Sequence, residues 1–241
     1  MPPRKDENFV QKAGAARAAA EHGVILVCPD TSPRDVKIEG DDESYDFGTG
    51  AGFYLNATAA PWSSNYHMYD YVTQELPSLV HGSDGESEGL FPASTLGPAA
   101  QGVFGHSMGG HGALVCALKN PAMFRTVPAF APICNPTACP WGVKAFNGYL
   151  AGGVEEGKQY DSTILAAGYS GPPLDILIDQ GADDQFLLSD QLLPQNLVNA
   201  CESSDTLNVT YREQVGHDHS YFFISSFIED HITWHASRMA A

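Results

Sequence analysis

A serine lies at the centre of a short glycine-flanked sequence, Gly105-His-Ser107-Met-Gly109. This sequence matches G-x-S-x-G, the pattern of a nucleophile elbow, in which a sharp turn between a strand and a helix exposes the serine hydroxyl. Such a hydroxyl attacks acyl carbonyls when an imidazole takes its proton and a carboxylate orients that imidazole. The pattern also fits an ordinary Ser-Gly turn before a helix, so the flanking elements decide between the two interpretations.

Candidates for the acid and the base follow later in the chain. In the fold that uses this elbow, the order along the chain is serine, acid, histidine. Asp183 and Asp184 come just after the apolar run Leu174–Asp179. His217 and His219 come after the last predicted strand. The spacing alone does not choose between the two aspartates or between the two histidines.

The elements around these residues predict an α/β fold, because short apolar runs alternate with helical stretches. The predicted strands are Val24–Cys28, Gln101–Phe104, Thr126–Pro132, Leu174–Asp179 and Leu207–Val215. The predicted helices are Asn8–Glu21, Asn65–Leu79, the stretch from the elbow to Leu118, Leu187–Ala200 and Tyr221–Ala236. We expect one domain with a mostly parallel sheet and helices on both faces. Residues 135–170 form an excursion from the sheet, in which prolines and glycines interrupt regular structure.

Composition excludes several classes of function. The chain has 241 residues, is 43% hydrophobic and carries a formal net charge of −17, from 12 basic and 29 acidic side chains. A basic footprint for nucleic acid or for an anionic membrane surface is therefore absent. The polar start Met1–Glu7 has no apolar signal core, and no apolar run is long enough to span a bilayer, so we expect a cytoplasmic protein.

No metal site or cofactor is predicted. The 5 cysteines form no C-x-x-C pair, and no H-E-x-x-H sequence occurs. His106 and His111 flank the elbow, but without a ligand cluster we interpret them as packing or hydrogen-bonding groups. Gly48–Gly52 is glycine-rich, but it neither follows a predicted strand nor opens a helix, so it does not predict a nucleotide loop.

Longer stretches of the sequence are more specific than G-x-S-x-G alone. They are Pro29–Arg34, Gly40–Ser44, Asp46–Tyr54, Phe104–Leu114, Ala129–Pro136, Cys139–Gly142, Leu174–Gly181, Asp183–Leu187 and Asp218–Ser220. Together they resemble the S-formylglutathione hydrolase (esterase D) family of the α/β-hydrolase fold. The likeness runs from about residue 8 to the C-terminus. It therefore implies a single domain over 8–241 with a non-homologous start at 1–7.

The resemblance places the family's catalytic triad on Ser107, Asp184 and His219. It thereby implies the second aspartate and the second histidine of the two candidate pairs. His217 departs from the family, in which an aromatic residue is usual at this position. The backbone N–H of Met108, the residue after the nucleophile, is expected to be one oxyanion-hole donor.

The implied reaction is hydrolysis of S-formylglutathione to glutathione and formate through a formyl-enzyme, without a cofactor or metal. The partner is thus a small glutathione thioester, and homodimers are common among relatives. Because a formyl group is very small, we expect a narrow acyl pocket, lined in part by Trp141. Lys144 is a candidate partner for a glutathione carboxylate. The alternatives are a general carboxylesterase of the same fold and a catalytically impaired, truncated fragment.

The fragment alternative follows from the start of the chain. Met1–Glu7 stands where relatives carry two edge strands and a third strand that ends in an oxyanion-hole loop. We therefore expect an N-terminally truncated domain, in which Val24–Cys28 and Gly102–Phe104 face a missing strand. Each unpaired buried backbone group costs about 1–3 kcal/mol. Loss of one oxyanion donor lowers the rate about 100- to 1,000-fold.

Overall fold

The computed structural model describes residues 5–82, 89–91 and 101–239. Its centre is a four-stranded sheet whose strands are all parallel and follow the chain order β1-β2-β3-β4. The strands are Gly105–His106 (β1), Thr126–Phe130 (β2), Leu174–Gly181 (β3) and Leu207–Gln214 (β4). The longest register pairs Leu174 with Leu207 and Gly181 with Gln214. The predicted parallel sheet is confirmed.

Helices connect successive strands, as parallel pairing requires. Helices α5 to α10 lie between strands. In chain order, the helices of the described residues are Lys5–Lys12 (α1), Ala15–His22 (α2), Met68–Asp70 (α3), Leu76–His81 (α4), Met108–Lys119 (α5), Pro140–Tyr149 (α6), Gly153–Gly157 (α7), Ser162–Ala167 (α8), Gln185–Leu188 (α9), Pro194–Glu202 (α10) and Tyr221–Met239 (α11). A π-helical turn, Tyr71–Glu75, joins α3 to α4, and 3-10 turns lie at Trp62–Ser64 and Lys158–Tyr160. Within the described residues, no helix is long and apolar enough to cross a bilayer.

Apolar side chains on the two faces of the sheet pack into two clusters. Val127 and Ile176 belong to the cluster that also holds Leu197 of α10. Phe130 belongs to the other cluster, with Phe223 of α11. Because successive strand residues point to opposite faces, β2 contributes to both clusters. Helices cover both faces of the sheet, as the sequence predicts.

Two predicted helices are divided at residues with a left-handed backbone. The predicted helix Asn8–Glu21 is two helices, because Gly14 between them has φ +73°. The predicted helix Leu187–Ala200 is likewise divided into α9 and α10, where Leu193 has φ +50°. Periodicity of apolar residues does not report such a local reversal.

The prediction that prolines and glycines break regular structure between residues 135 and 170 is wrong. Three helices, α6 to α8, lie in this segment. Pro140 is the first residue of α6, where a proline costs no hydrogen bond, and the Cys139 sulfur accepts from the Gly142 N–H. The Asp161 carboxylate caps α8 by accepting from the N–H groups of Thr163 and Ile164.

The strand prediction for Val24–Cys28 is wrong. The segment has no ladder partner within the described residues, although its apolar, β-branched composition is typical of a strand. Residues 101–104 also fall short of a strand and make one isolated bridge, from Gln101 to Phe124. A cavity of about 670 Å³ lies between the two segments, and Ile25 and Val27 on its wall remain 40% and 43% exposed.

A buried carboxylate ties the sheet to its last helix. Asp179 of β3 is fully buried and accepts hydrogen bonds from Arg212 Nε at 2.8 Å, Gln214 Nε2 at 2.7 Å and His231 Nε2 at 2.8 Å. The His231 ring stacks on Phe130, with 3.5 Å between ring centroids. Burial alone would raise the pKa of Asp179, but the hydrogen bonds outweigh it and lower this pKa to about 2.

Replacement of Asp179 by asparagine is expected to reduce the free energy of unfolding by about 2 kcal/mol at pH 7. The folded pKa of Asp179 lies below the unfolded value, so its contribution is complete above about pH 4 and is lost as the pH falls through about 2. Urea unfolding of wild type and Asp179→Asn at pH 7 and at pH 2.5 measures this difference. The exposed Asp205→Asn is the control. An equal difference at both pH values would contradict the assignment.

Candidate active site

The elbow is built by a strained serine between β1 and α5. Ser107 has φ +57° and ψ −115°, a conformation that is costly for a residue with a side chain. Its backbone N–H donates to Phe130 O at 2.9 Å, and its carbonyl accepts from the His111 N–H at 3.0 Å. Gly105 has no room for a side chain, because a Cβ there would lie 2.3 Å from the backbone of Gly109. This is the strand–turn–helix geometry of a nucleophile elbow.

An acid and an imidazole meet at the ends of β3 and β4. Asp184 Oδ2 lies 2.6 Å from His219 Nδ1, and Asp184 Oδ1 accepts from the Phe186 N–H at 2.8 Å. Asp184 is fully buried and the His219 side chain is 10% exposed. Burial raises the pKa of Asp184, but the hydrogen bonds and the charge of His219 outweigh it, so the net shift is downward.

The other members of the two candidate pairs lie outside this contact. Asp183 is exposed, and its backbone N–H donates to His217 O at 2.9 Å. The His217 ring faces Val215 O at 3.2 Å and packs on Phe227. The structure therefore brings Asp184 and His219 together and leaves Asp183 and His217 aside.

The imidazole of His219 lies beside the elbow. Its ring centroid is 4.3 Å from that of His106, the residue before Ser107. Among the hydrogen bonds of the described residues, none joins the Ser107 hydroxyl to His219. In substrate-free sites the bond between nucleophile and base is often long and tightens when substrate binds.

Helix α5 begins at the residue directly after Ser107. Met108 is the first residue of this helix, and the first N–H groups of a helix have no intrahelical partner. The helix dipole also favours negative charge at this end. Both Ser107 and Met108 border the cavity of about 670 Å³, so an acyl group can approach them from that side.

The cavity beside Ser107 extends well beyond the space that an acyl group would occupy. Its volume of about 670 Å³ is far more than a formyl group needs. The volume is large because the cavity continues from Ser107 along the gap between Val24–Cys28 and Gln101–Phe104. Nothing in the sequence pattern of the elbow reports the size of this space.

Trp141 and Lys144 both lie on α6 but have different surroundings. Trp141 lines the cavity, and its Nε1 donates to Asp46 O at 2.8 Å. Lys144 is half exposed and donates from Nζ to Asp46 Oδ1 at 2.6 Å. A substrate carboxylate would therefore compete with Asp46 for this lysine. The Lys144 ammonium also lowers the pKa of Asp46, against the opposite effect of burial.

Two further histidines near the elbow stay neutral at pH 7. Burial, with the nearby charge of His219, lowers the pKa of His106 to about 3. Burial lowers the pKa of His111 to about 4, and His111 Nε2 lies 3.1 Å from Phe53 O. In the part of the chain that the structure describes, no group of three or more His, Cys, Asp or Glu side chains could hold a metal ion.

Two residues that the sequence pattern does not predict as part of the site contact the acid–imidazole pair. The Phe186 ring centroid lies 4.7 Å from that of His219. Gln180 Nε2 donates to Asp184 Oδ2 at 2.9 Å. The available signal for Gln180 was its polarity within a buried apolar strand, four residues before Asp184.

Known proteins share both the sequence and the fold of this chain. Residues 4–234 match the Esterase family model. Rat S-formylglutathione hydrolase is 55% identical over 236 residues, which cover 98% of this chain and 80% of the rat protein. The chain belongs to the S-formylglutathione hydrolase family. The family named from the sequence stretches is confirmed.

Other proteins named S-formylglutathione hydrolase are also similar to this chain. The Arabidopsis thaliana enzyme of this name is 50% identical, over 97% of this chain and 78% of that protein. The solved S-formylglutathione hydrolase of Agrobacterium tumefaciens superposes with a TM-score of 0.84 at 41% identity, covering 96% of this chain and 79% of that one. A Staphylococcus aureus serine hydrolase, FphF, has a TM-score of 0.66 at 17% identity and shares the fold alone.

The Asp184–His219 contact predicts a specific defect in an Asp184→Asn variant. An amide at this position favours the wrong imidazole tautomer, so kcat for p-nitrophenyl acetate should fall about 10³- to 10⁴-fold. Asp183→Asn is the matched control, because it makes the same change at the exposed neighbouring aspartate. Circular dichroism checks that both variants fold. Equal activities of the two variants would exclude Asp184 as the acid.

Proposed function

We propose that this chain hydrolyses S-formylglutathione to glutathione and formate, with Ser107 as nucleophile, His219 as base and Asp184 as acid. The observation that carries the proposal is the 2.6 Å contact between His219 and Asp184 beside a strained serine elbow. The identity of the substrate is inferred from the family to which the chain belongs.

The reaction has two halves. In the first, His219 Nε2 takes the Ser107 proton as Oγ attacks the thioester carbonyl, and the Met108 N–H stabilises the oxyanion. The C–S bond then breaks, and the sulfur leaves as glutathione with the proton from His219. In the second half, His219 activates a water that attacks the formyl ester, and formate leaves as Ser107 regains its proton.

Asp184 is the member of this relay that does not change its protonation state. It holds the imidazole through Nδ1, so that Nε2 is left to face Ser107, and it stabilises the imidazolium. Its lowered pKa keeps the carboxylate ionised throughout the neutral range.

Local groups must hold the anionic substrate, because a net charge of −17 repels it at long range. We propose that Trp141 forms the wall of the site nearest to Ser107. Lys144 supplies the nearby positive charge if a glutathione carboxylate takes the place of Asp46.

Three broader features belong to the same proposal. The chain is a single domain over 8–241, with residues 135–170 as its excursion from the sheet. The enzyme acts in the cytoplasm. Its assembly is a homodimer, as the family resemblance suggests.

One observation favours a second function, that of a general carboxylesterase. The cavity of about 670 Å³ beside Ser107 admits acyl groups much larger than formyl. The ratio of kcat/KM for S-formylglutathione to that for p-nitrophenyl butyrate separates the two functions. A ratio well above one supports the thioesterase, and a ratio below one supports the carboxylesterase.

A Ser107→Ala variant is expected to lose at least about 10⁴-fold in kcat on S-formylglutathione, because no other group replaces the nucleophile. Release of free thiol, detected with a disulfide reagent, measures the rate. Ser203→Ala, at the exposed end of α10, is the control and should retain full activity. Turnover by Ser107→Ala at the wild-type rate would overturn the mechanism.

A further inference from the structure

One polar side chain behind the acid–imidazole pair has no part in the proposed reaction so far. Gln180 is fully buried in β3, on the strand face that also carries the apolar Ile176 and Ile178. Its Nε2 donates to Asp184 Oδ2 at 2.9 Å and to Gly181 O at 3.2 Å. The Oε1 atom at the other end of the amide is buried and has no hydrogen-bond partner within the described residues.

We infer that Gln180 is a positioning residue, whose amide fixes the rotation of the Asp184 carboxylate so that Oδ2 faces His219. The inference rests on the proposed function, because it assigns the triad acid to Asp184. Two groups converge on that one oxygen, with His219 Nδ1 at 2.6 Å and Gln180 Nε2 at 2.9 Å. The Phe186 N–H holds the other oxygen at 2.8 Å.

The unpaired Oε1 of Gln180 favours this role over simple packing. An apolar side chain of the same length would fill the same space without a buried acceptor that lacks a partner. The amide therefore carries a cost for packing, and the contact that offsets this cost is the donation to Asp184. A buried polar group with one unpaired end is typical of functional sites.

A neighbouring glutamine provides a natural comparison. Gln214 on β4 also donates from Nε2 to a buried carboxylate, Asp179, at 2.7 Å. Asp179 belongs to the network with Arg212 and His231 and does not contact His219 through any hydrogen bond of the described residues. The two glutamines thus make the same chemical contact, one on the triad and one outside it.

An amide N–H that donates to a carboxylate stabilises its charge and weakens its pull on other protons. Without Gln180, Asp184 would hold the proton of the imidazolium more strongly, and the acid limb of the pH profile would move to higher pH. The other titratable groups that face Asp184 are His219, His106 and Asp218, which the substitution leaves in place.

The test compares Gln180→Met with Gln214→Met in the full chain, using pH profiles of kcat/KM for p-nitrophenyl acetate and for S-formylglutathione. For Gln180→Met we expect the plateau value of kcat/KM to fall about tenfold. We expect the midpoint of the acid limb to lie about 0.5 pH units higher. Gln214→Met should leave both unchanged. A Gln180→Met pH profile with the wild-type midpoint, whatever the height of its plateau, would overturn the inference.

A second variant covers the case in which Gln180→Met does not fold. Gln180→Asn keeps a buried amide but is one methylene shorter, so its N–H groups no longer reach Asp184 Oδ2, and it should move the acid limb up as methionine does. A merely structural role of the amide predicts that this variant keeps the wild-type midpoint. If the wild-type enzyme hydrolyses the aryl ester but not S-formylglutathione, the proposed substrate is wrong. The aryl-ester pH profiles of the variants would still decide the role of Gln180.

Discussion

A carboxylate without solvent exposure is stable only if hydrogen bonds replace the water that it has lost. Asp184 meets this condition through His219, the Phe186 N–H and Gln180. The same contacts that make its burial tolerable also fix the imidazole beside the elbow. Stability of the buried charge and orientation of the base are therefore one requirement, and the rest of the site depends on it.

The parallel sheet satisfies this requirement from three chain segments far apart in sequence. β3 ends just before Asp184, β4 ends before the loop that carries His219, and β1 ends just before Ser107. Because the carboxyl ends of parallel strands share one edge of a sheet, the three groups reach the same place. The strain stored at Ser107 is held by the packing of α5 against its neighbours, where Gly105 and Gly110 allow close approach.

The sequence was most informative where a residue pattern reports a local physical demand. The elbow glycines, the buried runs of β2 and β3 and the order of a serine, an aspartate pair and a histidine pair belong to this class. The choice of Asp184 and His219 within those pairs came from the family resemblance. The sequence pattern failed where the outcome depends on a neighbour. Val24–Cys28 has the composition of a strand but joins no sheet among the described residues. Gly14 and Leu193 reverse the backbone locally, and the size of the cavity depends on the spacing of two distant segments. The sequence pattern does not predict a role for Gln180, because this residue acts only through its contact with Asp184.

The central claim, that Ser107 receives the acyl group, is tested most directly by trapping that intermediate. Acid quench during turnover of a bulky, slowly deacylating aryl ester, followed by peptide mass spectrometry, locates the acyl group. We expect stoichiometric acylation of the peptide that contains Ser107, formed at the rate of the initial burst. Acylation at another residue, or steady turnover with Ser107 unmodified at every quench time, would contradict it.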